Sequence, residues 1–223
     1  AQIDLKCDKI VGFEALVRWI HKEKGLIAPG GFVQVAEETG LIVPIGRWVL
    51  FEACKQLKRW EEEGYNDISI AVNLSARQFK DADIVAMVNE AIEETKIDPG
   101  KLDLEITESI AIENIEYTIE IIQKLKEIGV KFSLDDFGTG YSSMNYLKHL
   151  PVNNLKIDKS FLDRVIEDTS DQQIVSTIIT LAQTLDLVVI AEGVESSEQA
   201  VFLKKANCNQ AQGYLYSKPI PEV

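Results

Sequence analysis

Histidine is nearly absent: His21 and His149 are the only two in 223 residues, and neither stands in a cluster. A histidine-based zinc centre is thereby excluded, because zinc sites draw on grouped His and Cys. Cysteine is scarce as well. Cys7, Cys54 and Cys208 are odd in number and lack metal-ligand spacing. They read as free thiols of a reducing cytoplasm, not as a disulfide framework. Basic charge is short: 23 Lys and Arg face 36 Asp and Glu, for a net charge of −13. That excludes a general nucleic-acid surface, which needs a basic face. It does not exclude a small phosphate compound held through divalent cations. No apolar run reaches the roughly 18 residues of a membrane-spanning helix. The opening Ala1-Gln2-Ile3-Asp4-Leu5 has neither the basic region nor the apolar core of a signal peptide. No repeat, low-complexity tract or linker interrupts the sequence.

What the chain does have is a recurring succession of strand-like and helix-like stretches. Seven strand-like segments read at 12–18, 70–75, 102–108, 131–136, 154–158, 187–193 and 210–214. Each carries a carboxylate, amide or lysine near its C-terminal end. Helical periodicity falls at about 31–38, 44–63, 78–95, 113–128, 171–185 and 196–206. In the second of these, Ile45, Trp48, Val49, Ala53, Leu57 and Trp60 share a side, and Gly64 is placed to end it. Glu61-Glu62-Glu63 and Glu93-Glu94 read as solvated faces. Leu187-Val-Val-Ile190 is apolar on both faces, as a parallel strand between a barrel interior and outer helices would be.

At 223 residues this pattern fits one α/β domain, a TIM-like (β/α) barrel. Residues 1–5 supply the tail of a further strand, and the short connection over 6–9 suits a hairpin, which sets neighbouring strands antiparallel. The expected fold is a barrel with one antiparallel strand, that first strand being largely missing from the chain.

A barrel of this kind gathers the C-terminal ends of its parallel strands at one mouth. There Glu14, Asn73, Glu105, Asp135, Asp136, Lys156, Glu192 and Gln212 would meet. The hard oxygens of Glu14, Asn73, Glu105 and Asp135 suit Mg²⁺ or Mn²⁺ better than zinc. Neighbouring side chains on a strand point to opposite faces, so Asp135 and Asp136 both reach the mouth only if the strand ends between them. Phe137-Gly138-Thr139-Gly140 provides the flexibility. Glu14, Leu16 and Arg18 share one face of a regular strand, which would let Arg18 fork a substrate phosphate. The competing account of any single acid is a surface ion pair. For Lys156 it is a salt bridge to Asp158 or a neighbouring acid, and for Arg18 an exposed pair. The recurrence of acids at strand ends favours a site.

Further motifs accompany Glu14-Ala-Leu-Val-Arg18. They are Ala36-Glu-Glu-Thr-Gly-Leu41, Asn73-Leu-Ser75, Leu104-Glu-Ile-Thr-Glu108, Asp135-Asp-Phe-Gly-Thr-Gly-Tyr-Ser-Ser143, Lys156-Ile-Asp158, Ala191-Glu-Gly-Val-Glu195 and Gln212-Gly-Tyr214. On these residues, in this order from 12 to about 220, the chain resembles the EAL-domain phosphodiesterases that hydrolyse cyclic di-GMP. The resemblance implies a barrel with one antiparallel strand. It also implies two Mg²⁺ or Mn²⁺ ions per active site, held by Glu14, Asn73, Glu105, Asp135, Asp136 and Glu192. Asp135 would bridge the ions, Asp136 would serve the second, and Glu192 would assist directly or through water. Lys156 would orient the attacking water, while Leu16, Arg18 and Gln212 would face the substrate. Glu108 would brace the loop at 137–145.

The activity implied is metal-dependent hydrolysis of cyclic di-GMP to linear 5'-pGpG, lowering the level of the messenger. By the same resemblance, residues 1–223 form a single EAL-type domain of a larger, multidomain signalling protein. That domain would be cytoplasmic, with no membrane contact of its own. A homodimer would form through the region 137–147, where Tyr141, Met144, Tyr146 and Leu147 offer apolar material; core packing accounts for them equally well. A second reading is a module that binds cyclic di-GMP without turnover. Relatives of that type lose metal ligands or the loop glutamate; all these positions are filled here, which favours the enzyme.

Overall fold

In the computed structural model the described residues are 1–81, 83–138 and 144–221. The strands are β1 (Gln2–Asp4), β2 (Lys9–Ala15), β3 (Trp19–His21), β4 (Gly25–Ile27), β5 (Ser69–Asn73), β6 (Leu102–Thr107), β7 (Lys131–Phe137), β8 (Asn154–Ile157), β9 (Val188–Ala191) and β10 (Gln210–Gln212). The helices are α1 (Val33–Thr39), α2 (Ile42–Glu62), α3 (Ala76–Asp81), α4 (Ile84–Thr95), α5 (Glu108–Glu113), α6 (Ile115–Ile128), α7 (Met144–Leu147), α8 (Thr169–Thr184) and α9 (Ser197–Lys205).

Alternation along the strands decides the architecture. Leu102, Leu104 and Ile106 of β6, Phe132 and Leu134 of β7, and Leu155 and Ile157 of β8 are fully buried in one apolar core with residues of the surrounding helices. The intervening residues Asp103, Glu105, Ser133, Asp135, Asn154 and Lys156 take the opposite face, into the barrel. They too are buried. Barrel interiors are ordinarily filled by bulky branched apolar residues. Here the interior of β6 to β8 is polar, so their burial on both faces does not come from two apolar faces.

The barrel closes in the order β1-β10-β9-β8-β7-β6-β5-β2. From β2 through β5 and on to β10 every neighbouring pair is parallel, whereas β1 runs antiparallel to both β2 and β10. The reversal is local in origin. Asp4 Oδ1 accepts from the amides of Lys6 at 2.8 Å and Cys7 at 2.9 Å, and the amide of Asp8 bonds back to the Asp4 carbonyl. A turn this short leaves no room for a crossover helix, so β1 must pair antiparallel. Residues 1–5 thus supply the strand that closes the barrel.

Capping residues set the helix bounds. The predicted helix over 78–95 is two helices, with Asp83 capping α4 through the amide of Ala86 at 3.0 Å. The one predicted over 113–128 is preceded by an extra helix, α5, and starts afresh where Asn114 caps α6. A Ser196–Gln199 capping box opens α9. The buried face of α2 is Ile42, Gly46, Leu50, Phe51, Ala53, Cys54 and Leu57. Trp48, expected inward, is 58% exposed. Ala53 and Leu57 of the expected side are buried and Val49 and Trp60 pack on the core, while Gly46 abuts Gln78 of α3 with no room for a side chain. Glu61, expected to be solvated, is mostly covered and pairs with Lys101 at 3.0 Å. The small hairpin β3–β4, not expected from the sequence, stands apart from the barrel. No helix among the described residues is long and apolar enough to cross a membrane.

Candidate active site

Lys156 is the centre of the barrel mouth. Its side chain is wholly buried, and Nζ lies 2.7 Å from Glu105 Oε2, 2.6 Å from Glu192 Oε1, 3.5 Å from Asp135 Oδ1 and 3.9 Å from Glu14 Oε2. These acids come from β6, the residue after β9, β7 and β2. The sequence left open a salt bridge to Asp158 or a neighbouring acid; the partners are the acids of the mouth. Glu14 is held from both sides. Asn73 Nδ2, at the end of β5, donates to its Oε1 at 2.7 Å, and Gln212 Nε2, at the end of β10, donates to its Oε2.

Four carboxylates around one ammonium leave an excess of negative charge that a dry interior cannot hold unaided. Burial works against the Lys156 charge, yet the surrounding carboxylates outweigh it and hold the ammonium well above its usual range. Burial drives the Glu105 carboxyl well above its usual range, against the pull of Lys156 and with a further push from Glu14 and Asp135. Burial likewise lifts Glu192 to about 7, opposed by Lys156. Asp136 is raised by burial and then by Asp135. The acids are therefore short of positive charge, and protons or cations must supply it.

The donor set fits a hard divalent cation. It is made of oxygens, and two of them, Glu105 Oε1 and Gln212 Oε1, are buried with no partner among the described residues. Among the described residues no three His, Cys, Asp or Glu side chains are arranged to hold a metal ion as they stand. Glu105 and Glu192 turn to Nζ instead, so holding an ion requires these carboxylates to rotate.

Asp135 and Asp136 solve the adjacency problem by a turn within the strand. Asp136 has φ +55° and its amide donates to Asp135 Oδ1 at 2.9 Å. Aspartate tolerates this left-handed conformation better than most residues. The strand was expected to end between the two; it continues to Phe137, but its register with β8 shifts between Leu134 and Phe137. On β2 the regular strand stops at Ala15, so Leu16 and Arg18 are not on a shared strand face with Glu14. Leu16 is exposed and Arg18 half-buried, its guanidinium donating to the carbonyl of Val17 at 2.9 Å.

Glu108 opens α5 and is 3% exposed. It accepts from the amide of Gly138 at 2.9 Å and from the hydroxyl of Tyr146, thus bonding both flanks of the segment after the paired aspartates. Residues 139–143, with Tyr141, lie outside the described residues, as does the side chain of Met144. Of the apolar residues expected there, Tyr146 and Leu147 are buried in the core, which favours the core-packing account for these two.

The family model for the EAL domain matches residues 1–219. The chain belongs to the EAL domain family. It is 48% identical over 212 residues to the bifunctional diguanylate cyclase/cyclic di-GMP phosphodiesterase MucR of Pseudomonas aeruginosa, covering 95% of this chain and 31% of that protein. It is 42% identical over 215 residues to the cyclic di-GMP phosphodiesterase PdeR of Escherichia coli, covering 96% of this chain and 32% of that protein. The chain thus spans about a third of the length of these relatives. A solved structure of the PaMucR phosphodiesterase in complex with c-di-GMP superposes with a TM-score of 0.95 at 46% identity, covering 99% of this chain and 89% of that one.

Two features of this EAL domain escaped the sequence reading. Tyr146 was weighed as apolar material, whereas its hydroxyl holds Glu108. Asp103, Ser133 and Asn154 went unremarked, although each stands two residues before Glu105, Asp135 and Lys156 and so shares their strand face.

Proposed function

We propose that the chain hydrolyses cyclic di-GMP to linear 5'-pGpG in a reaction that depends on two Mg²⁺ or Mn²⁺ ions. The observation that carries the reading is the buried Lys156 ringed by carboxylates of Glu14, Glu105, Asp135 and Glu192 at the mouth of an EAL domain. The naming of MucR and PdeR as cyclic di-GMP phosphodiesterases supports it. Glu14, Asn73, Glu105 and Asp135 would hold one cation; Asp135, Asp136 and Glu192 would hold the other. Bound, the pair supplies charge neutralisation at the phosphodiester and a lower pKa for the attacking water.

The chain's own residues do the rest. Lys156 donates to the attacking oxygen and keeps it in line with the phosphorus, its position set by Glu105 and Glu192. The new bond joins water oxygen to phosphorus, the bond to the 3' oxygen breaks, and that oxygen leaves with a proton. The product is linear, with a 5' phosphate. Arg18 forks a non-bridging phosphate oxygen. Leu16 offers an apolar contact to the substrate, and Gln212 keeps Glu14 turned toward the mouth. Glu108 holds the segment that follows Asp136. Self-association through 137–147 and a cytoplasmic location belong to the same proposal and rest on the family resemblance.

The test is chromatography of products after incubating the chain with cyclic di-GMP and Mg²⁺, Mn²⁺ or a chelator. Linear pGpG formed only with metal is expected. Tight binding of cyclic di-GMP with no product under any metal would replace the enzyme by a binding module.

A further inference from the structure

Below the mouth the barrel interior carries a second polar layer. Asp103, Ser133 and Asn154 are 5%, 0% and 8% exposed. Ser133 Oγ donates to Asp103 Oδ2 at 2.6 Å, Asn154 Nδ2 donates to the same oxygen at 2.7 Å, and Asn154 Nδ2 lies 3.0 Å from Ser133 Oγ. The three side chains form a closed triangle that ties β6, β7 and β8 together. An apolar trio would fill the same volume without burying a carboxylate. What the polar trio adds is direction.

The place of the triangle matters. β7 and β8 pair in register at Ser133 with Asn154 and at Leu134 with Leu155, and then the register shifts before Phe137 meets Ile157. The shift falls where Asp136 turns to φ +55°. Asp135 stays paired with Thr107 of β6 and Lys156 with Ile190 of β9, but across the β7–β8 seam itself neither has a regular ladder partner. The side-chain triangle sits on the last regular pairs beneath them.

We infer that Asp103 is a positioning residue for the hydrolytic centre: by accepting from both Ser133 and Asn154 it keeps Asp135 and Lys156 aligned with each other across the β7–β8 seam, beside Glu105. The inference rests on the phosphodiesterase reading above. Asp103 touches neither substrate nor ion; it acts through the strands. Its Oδ1 has no partner among the described residues, so an asparagine at 103 keeps an oxygen for both donors and loses no bond.

The experiment compares the 223-residue chain with Asp103→Ala, Asp103→Asn and Ser133→Ala. It measures Mn²⁺ affinity by electron paramagnetic resonance, kcat and KM for cyclic di-GMP, and the folded fraction by thermal unfolding. Parent turnover is measured first. A parent that binds Mn²⁺ but forms no product defeats the phosphodiesterase reading, while the Mn²⁺ affinities still judge the inference. Supporting altered-centre outcomes are specific. Asp103→Ala should bind Mn²⁺ about 10–100-fold more weakly and lose on the order of 10²-fold in kcat, with KM little changed. Asp103→Asn should recover most of both. Ser133→Ala, which deletes one hydroxyl, should fall between. A merely space-filling role would lower the folded fraction and leave the affinity and kcat of the folded molecules at parental values, which overturns the inference. So does Asp103→Asn as impaired as Asp103→Ala, since charge and not the ties would then be operative. Should Asp103→Ala fail to fold, parental affinity and kcat in Ser133→Ala overturn it.

Discussion

Lys156 Nζ stands 2.7 Å from Glu105 Oε2 with neither side chain reaching solvent. Such a pair is costly to create and costlier to break, because removing one partner strands a buried charge. Lys156→Met keeps the bulk and deletes the charge, leaving Glu105 and Glu192 without their cation. The metal-free variant should lose about 3–5 kcal/mol of stability. Turnover should fall about 10²–10⁴-fold, with KM little changed. Denaturant titration in chelator and steady-state kinetics check the two parts. A change confined to KM would make Lys156 a substrate-binding group instead.

Asp135 lies 3.5 Å from Lys156 and takes part in both proposed ion sites. Asp135→Ala should abolish metal-dependent hydrolysis while the melting transition in chelator stays cooperative. Glu14→Ala should do the same and also release Asn73 and Gln212, which both donate to Glu14. Full activity of Asp135→Ala with saturating Mg²⁺ would sink the two-ion scheme.

Glu192 makes the metal-free protein sensitive to pH. Burial raises its carboxyl from 4.5 to about 7 in the folded state. A carboxyl raised on folding binds more protons folded than unfolded across that window. Its contribution to stability is therefore full below pH 4.5 and is lost as pH rises through about 7. In chelator, Glu192→Gln should flatten this part of the stability–pH profile. Below about pH 7 the parent should release a proton on binding Mn²⁺, since a ligand carboxylate must be ionised. Calorimetry in buffers of different ionisation enthalpy counts that proton; no release in the parent at pH 6 contradicts the assignment.

Glu108 and Tyr146 supply a test of the loop. Glu108→Ala removes the acceptor for Gly138 and Tyr146 at once. A displacement of about 1 Å in the ligand that precedes the segment can cost roughly 10²-fold in rate. Glu108→Gln and Tyr146→Phe should each be milder, since each removes less than Glu108→Ala does. Kinetics with Mg²⁺ titrations distinguish this from chemistry by Glu108 itself: a retained Mg²⁺ affinity with no turnover in Glu108→Ala would point to a direct role.

Much of the site was legible before the structure, for a particular reason. Strand alternation has a period of two, so Glu105, Lys156 and Gln212 at strand ends could be placed at one mouth without any tertiary knowledge. The β1–β2 hairpin was legible too, because four residues cannot cross a sheet. The face of α2 was legible in part: Ala53 and Leu57 are buried and Val49 and Trp60 pack on the core as expected, but Trp48 is exposed and Gly46 abuts Gln78 of α3, a contact between elements that no period within the helix encodes. Tyr146 was ambiguous because an aromatic ring buried in a core and one with its hydroxyl bound to Glu108 look alike in sequence.

Residue type and spacing by themselves determined the barrel, its reversed strand and the roster of acids, amides and lysine at its mouth. Those depend on local periodicity and turn length. Only the tertiary structure decided that Glu105 and Glu192 turn to Lys156, that the chain turns at Asp136 through φ +55°, that Glu108 bonds both Gly138 and Tyr146, and that the interior beneath is polar. Each of these is a choice among rotamers or backbone wells that lie close in energy for the isolated segment. Burial, and the charge of groups brought from other strands, make the choice.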